Sequence, residues 1–148
     1  MYQSTKTWGH ERGLSCCFRQ WRADSHCSML HGYSLSIKLV FEATELDETN
    51  WVVDFGSFEM LKNSIAYRFD HTTLIADDDP HLEYFKQLDA DKVIDLRIVP
   101  GVGCEAFAKL VYEMTVIWLH HQKLMPRVTL ASVEVAEHGS NSAIYTGA

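Results

Sequence analysis

The stretch "HCSMLHGYSLSIKLVFEA", from His26 to Ala43, decides how this chain folds. From Ser34 onward apolar and polar residues alternate. Leu35, Ile37, Leu39, Phe41 and Ala43 share one face, and Ser36, Lys38 and Glu42 share the other. A period of two is a strand, and a strand with one wet face belongs to an antiparallel sheet. Cys27, His31, Gly32 and Tyr33 stand at its mouth.

Upstream, Leu14 to Arg19 predicts a shorter strand, joined to the first by the polar loop "RQWRADSHCSML". Downstream, "TELDETN" reads as an acidic turn. Phe58, Leu61, Ile65 and Phe69 then recur at helical spacing, with Asp54 or Ser57 available as a cap. "IADDDP" is a turn. Cys104 to about His121 predicts a second helix with Phe107, Leu110, Val111, Met114, Ile117 and Trp118 along one stripe. Val128 to Ala136 and the short "AIY" read as two closing strands. The expectation is one α+β domain over residues 1–148, ordered ββααββ: a four-stranded antiparallel sheet with two helices on one face. So small a sheet has open edges, and a homo-oligomer joined edge to edge would cover them.

Composition narrows the function. The chain has 148 residues and a net charge of -7, with basic residues scattered rather than clustered, which argues against nucleic acid as a partner. Its apolar runs are short and broken by charge, so no membrane span is expected. The start, "MYQSTKTWGHERG", lacks the pattern of a signal peptide. Four cysteines, two of them adjacent, do not look like a disulfide framework, and the expected setting is a reducing cytoplasm.

Three places could carry chemistry. Cys27 lies four residues before His31, so a thiol could be activated by, or share a metal with, an imidazole. Taken alone, a small buried cysteine beside a surface histidine is the simpler reading. Asp70 precedes His71 in "FDHTTL", and a carboxylate can fix a histidine's tautomer and raise its basicity. A histidine at a helix C-terminus is also favoured by the dipole alone. Glu137 follows the Val128–Ala136 strand, where a carboxylate could accept two hydrogen bonds from an amino-pyrimidine edge or simply be a solvated turn residue. Two other strings carry nothing: "DFG" at Asp54–Gly56 has no kinase companions, and "GVGCEAF" lacks the glycines and lysine of a phosphate loop.

Together these pieces resemble the 6-pyruvoyltetrahydropterin synthase family, including the 6-carboxytetrahydropterin synthases of queuosine biosynthesis. "CSMLHGYS" resembles the family's Cys-x3-His-Gly-His core. "WVVDF", "FDHTTL", "CEAFAKLVYE" and "VEVAEHGSNSAIYTG" resemble its other motifs, in the family's order. The resemblance implies the tunnelling fold (T-fold), subunits joined into a β-barrel, commonly as a hexamer, and a carbon-oxygen lyase acting on a dihydroneopterin triphosphate-type substrate. It implies Cys27 as catalytic thiol, Asp70 and His71 as a proton relay, and Glu137 as anchor of the pterin ring. It also implies zinc on three histidines, which polarises the substrate's side-chain oxygens.

The metal is where this sequence departs. Phe18 and Tyr33 stand at two ligand positions, and only His31 remains. One imidazole cannot hold zinc, which takes about three or four protein ligands. Val102 and Gly103 also replace the family's Pro-Thr. Two readings follow. In the preferred one the site is metal-free, Phe18 and Tyr33 fill the volume left by two imidazoles and zinc, and the Tyr33 hydroxyl or His31 takes over polarisation of the substrate. In the other, a metal is held by Cys16, His26, Cys27 and His31. A non-catalytic pterin- or purine-binding protein is the alternative to an enzyme.

Overall fold

The computed structural model describes residues 1–148, and the alternating stretch is the strand around which they fold. In chain order the elements are β1 (Tyr2–Trp8), β2 (Leu14–Phe18), β3 (His31–Ala43), α1 (Glu59–Phe69), β4 (Thr72–Ala76), α2 (Leu82–Ala90), β5 (Leu96–Val99), α3 (Cys104–His121), β6 (Thr129–His138) and β7 (Asn141–Tyr145). Strand β3 is thirteen residues long and serves two neighbours along one edge. Its first part pairs antiparallel with β2, from Phe18↔His31 to Leu14↔Leu35. Its remainder pairs antiparallel with β1, from Trp8↔Ile37 to Tyr2↔Ala43. Along its other edge it pairs with β6, and β6 with β7. Beyond β2 the sheet continues through β4 and β5, both in parallel register.

The expected ββααββ order and four-stranded antiparallel sheet are therefore corrected to seven strands, three helices and a mixed sheet. The α+β class stands. The three missed strands and the missed helix left weak signals for physical reasons. In β1 only Trp8 is buried, so its alternation is polar throughout. Strand β4 is buried at all five positions, and a short strand covered on both faces reads as an apolar run without period. Strand β5 has four residues, and α2 buries only Phe85.

Leu35, Ile37, Leu39 and Phe41 are fully buried, with β6 adding Val133 and Val135 on the same face. Helix α1 lays Leu61, Ile65 and Phe69 on this layer, as predicted. Helix α3 contributes Phe107, Ala108, Val111, Thr115, Trp118 and Leu119. Its stripe is rotated from the expected one, for Ile117 is exposed. Asp54 caps a short turn, accepting from the Gly56 N–H at 2.8 Å, rather than α1 itself. No helix is long and apolar enough to cross a membrane.

Candidate active site

The apolar layer opens at the end of β3 where His31 and Tyr33 stand. Both share the face of Leu35 and Ile37, since alternate residues of a strand point the same way. Phe18, their neighbour on β2, is buried. A cleft of about 320 Å³ begins there, lined by Phe18, Gln20, Cys27, His31, Glu105 and Glu137 among others. Cys27 and Glu137, 110 residues apart in the chain, thus face one space.

Glu137 is placed by a break in register. Ala136 pairs with Ser142 and His138 with Asn141, so Glu137 is the extra residue of a β-bulge within β6, not a residue beyond the strand. Bulges re-aim side chains, and here the carboxylate meets the start of α3. Gly103, just before that helix, has φ 105°, a conformation that the family's threonine would adopt only under strain.

Cys27 sits in a short helical turn, His26–Ser28, half-buried. Its carbonyl accepts from the Gln20 N–H at 2.9 Å. Arg19 Nη1 donates to the Ser28 carbonyl at 3.1 Å, while Nε and Nη2 fork onto Asp79 at 2.9 and 2.7 Å. The Asp79 side chain is wholly buried. Burial alone would raise its carboxyl, but the Arg19 fork and the His81 N–H outweigh that and hold it below the usual carboxylate range. The thiol-bearing turn is therefore tied to the β4–α2 connection by a bidentate pair. Arg22, Trp21 and Asp78 add a second, exposed pair beside it.

His31 Nδ1 lies 2.8 Å from the Met29 carbonyl, to which it can donate, leaving Nε2 as the lone-pair nitrogen. Burial, then the Glu137 carboxylate and the Cys27 and Cys104 thiols, push the Tyr33 hydroxyl upward, so it remains a proton donor. Gly32 fits between them because it passes β2 closely: an added Cβ would lie 3.1 Å from the Cys16 carbonyl oxygen.

The Asp70–His71 couple is formed, with Asp70 Oδ1 and His71 Nδ1 2.6 Å apart. Asp70 caps α1, and His71 has φ 57°, a left-handed conformation uncommon outside glycine. In one chain, however, His71 opens onto a different, larger hollow with Ser15, Cys17, Thr73 and Lys92. The single chain brings together Cys27, His31 and Glu137 and leaves the Asp70–His71 couple outside their cleft.

Two residues escaped sequence reasoning. Glu105 lines the cleft from the first turn of α3, and Cys104 is buried behind it. Burial, the Glu137 carboxylate and Glu105 push the Cys104 thiol up to about 12, and burial pushes Cys16 up to about 12 as well. Both thiols stay neutral in the fold. Their contribution to stability is complete below the unfolded thiol value near 9.0 and is lost as pH rises towards 12. Thermal melts are therefore expected to fall over that range, with a shallower fall in Cys104→Ser, whose hydroxyl does not ionise there. Equal slopes would contradict the assignment.

No group of three or more His, Cys, Asp or Glu side chains is placed to hold a metal. Cys16 is buried and opposite Tyr33 on the pairing of β2 with β3, and His26 is exposed. The softer set of Cys16, His26, Cys27 and His31 is not assembled. The family's own ligand set does not fit either, since the buried Phe18 ring offers no donor atom and Tyr33 replaces an imidazole.

A family model described as 6-pyruvoyl tetrahydropterin synthase matches residues 9–148. The chain belongs to the 6-pyruvoyl tetrahydropterin synthase family. Among solved structures, an uncharacterized protein from Wolinella succinogenes is 20% identical, with a TM-score of 0.81 over 99% of this chain and 98% of that one. The 6-pyruvoyl tetrahydropterin synthase of Plasmodium vivax is 13% identical, with a TM-score of 0.67 over 98% of each chain. That of Caenorhabditis elegans is 17% identical, with a TM-score of 0.62 over 99% and 94%. At these identities the structures show the synthase-family fold. No curated protein matches the chain.

Proposed function

We propose that this chain binds a pterin-like bicyclic ring in the cleft and acts as a 6-pyruvoyl- or 6-carboxytetrahydropterin synthase-like lyase on a dihydroneopterin triphosphate-type substrate. One observation carries the reading: an aimed carboxylate, Glu137, and a half-buried thiol, Cys27, face the same space. Glu137 accepts from the amino-pyrimidine edge of the ring. Cys27 takes or returns a proton at the carbon beside the ring, with the Tyr33 hydroxyl and His31 Nε2 next to it. Asp70 and His71 reach this cleft only from a second copy, so the relay requires the homo-oligomer, a hexamer or another T-fold ring closing its sheets into a barrel. Four free cysteines suit a cytoplasmic setting.

Glu137→Gln keeps the shape but loses the charge. Charge-assisted hydrogen bonds are about twice as strong as neutral ones, so the dissociation constant for pterin should rise about tenfold to a hundredfold. Fluorescence titration measures it, and an unchanged constant removes Glu137 as anchor. A second reading is favoured by the loss of metal donors at Phe18 and Tyr33: a pterin- or purine-binding protein without turnover. Incubation with dihydroneopterin triphosphate, with products followed chromatographically, separates the two. Ring binding without triphosphate release would select the second.

A further inference from the structure

The rings of Phe18, His31 and Tyr33 form a nearly equilateral triangle. Their centroids lie 5.5 Å (Phe18–His31), 5.9 Å (Phe18–Tyr33) and 5.3 Å (His31–Tyr33) apart. A metal–nitrogen bond of about 2.0–2.1 Å at tetrahedral angles sets three imidazole centroids roughly 5.2 Å apart. The backbone explains the match. Phe18 and His31 are paired across β2 and β3, and Tyr33 lies two residues along on the same face. Phe107 packs edge-on against Phe18 at 5.0 Å and holds the triangle from behind. The Tyr33 ring also lies 6.4 Å from His138, so it is braced on the β6 side.

We infer that this triangle is a three-imidazole metal geometry with two imidazoles replaced by phenyl rings, and that Phe18 and Tyr33 determine which part of the ligand the cleft reads. This rests on the proposed ring-binding function. A metal would chelate the oxygens of a ligand's side chain, whereas an aromatic floor offers packing and the Tyr33 hydroxyl. The ring edge at Glu137 then carries recognition, and a vicinal diol on the ring's side chain adds little. The ligand class is a flat amino-pyrimidine bicycle, bound with or without a hydroxylated tail.

The wild-type chain is compared with the double variant Phe18→His plus Tyr33→His, using zinc alone and then pterin and neopterin as probes. After dialysis against zinc, the double variant should hold about one zinc per chain and the wild type far less, because three imidazoles complete a ligand set that one cannot. The wild type should bind pterin and neopterin within about twofold, while the zinc-loaded variant should prefer neopterin about tenfold, a preference removed by chelator. Stoichiometric zinc in the wild type, no zinc in the folded double variant, or a tenfold wild-type preference for neopterin would each overturn the inference. The wild-type ligand comparison decides the matter even if the double variant does not fold. Failure of the wild type to bind either ring would sink the proposed function, while the zinc measurement would still judge the triangle.

Discussion

Cys27→Ala is expected to lower turnover of the dihydroneopterin-type substrate by about 10²–10⁴-fold, the range supplied by a positioned proton-transfer group. Affinity for the ring should stay within about twofold, because Glu137, on β6, carries it. The split between turnover and binding is the informative result. Alanine removes the thiol from a half-buried turn whose backbone is fixed by Gln20 and Arg19, so the cleft's shape survives. Pre-steady-state assays at matched saturation measure the chemical step. An unchanged rate would take the thiol out of the mechanism. Equal losses of turnover and ring binding would show that Cys27 holds the cleft together instead.

Asp79→Ala should have the largest effect on stability. Breaking a buried ion pair by removing one partner costs about 3–5 kcal/mol, since the other charge is left unpaired. The Arg19 side chain keeps 16% exposure and can turn towards water, so the lower end, about 3 kcal/mol, is expected. Asp78→Ala provides the contrast. Its pair with Arg22 is more than half exposed on both sides, and such pairs contribute about 0–1 kcal/mol. Urea denaturation of both variants decides it, and similar midpoints would contradict the argument. The Asp79 carboxyl is held below its ordinary value. Its contribution is therefore present above the unfolded carboxylate range, near about pH 3.9, and is lost as pH falls through the lower folded value. Acid unfolding of the wild type should sharpen there, and Asp79→Ala should blunt it.

The long periodic elements were legible because their burial is one-sided. Leu35, Ile37, Leu39 and Phe41 fix β3, and Phe107, Val111 and Trp118 fix α3. Strand β1 was not legible, for Gln3, Ser4, Thr5, Lys6 and Thr7 form a strand only because the far half of β3 needs a partner. The same holds for the site. Cys27, Glu137 and the Asp70–His71 couple each gave only a weak local signal, and their order against the family's motifs gave the rest. No sequence pattern joined Arg19 to Asp79, sixty residues on, or showed that a bulge would aim Glu137 at the start of α3. Nor could it show on which side of β2 His71 would emerge, because that depends on the parallel pairing of β2 with β4.

The most direct test of the shared cleft is ligand protection of thiols, read peptide by peptide after brief alkylation. Cys27 shares the cleft with Glu137. Saturating pterin should slow alkylation of Cys27 about tenfold or more, as expected when a bound ring covers most of a small pocket. Alkylation of Cys27 at the same rate with the ring bound would contradict the account.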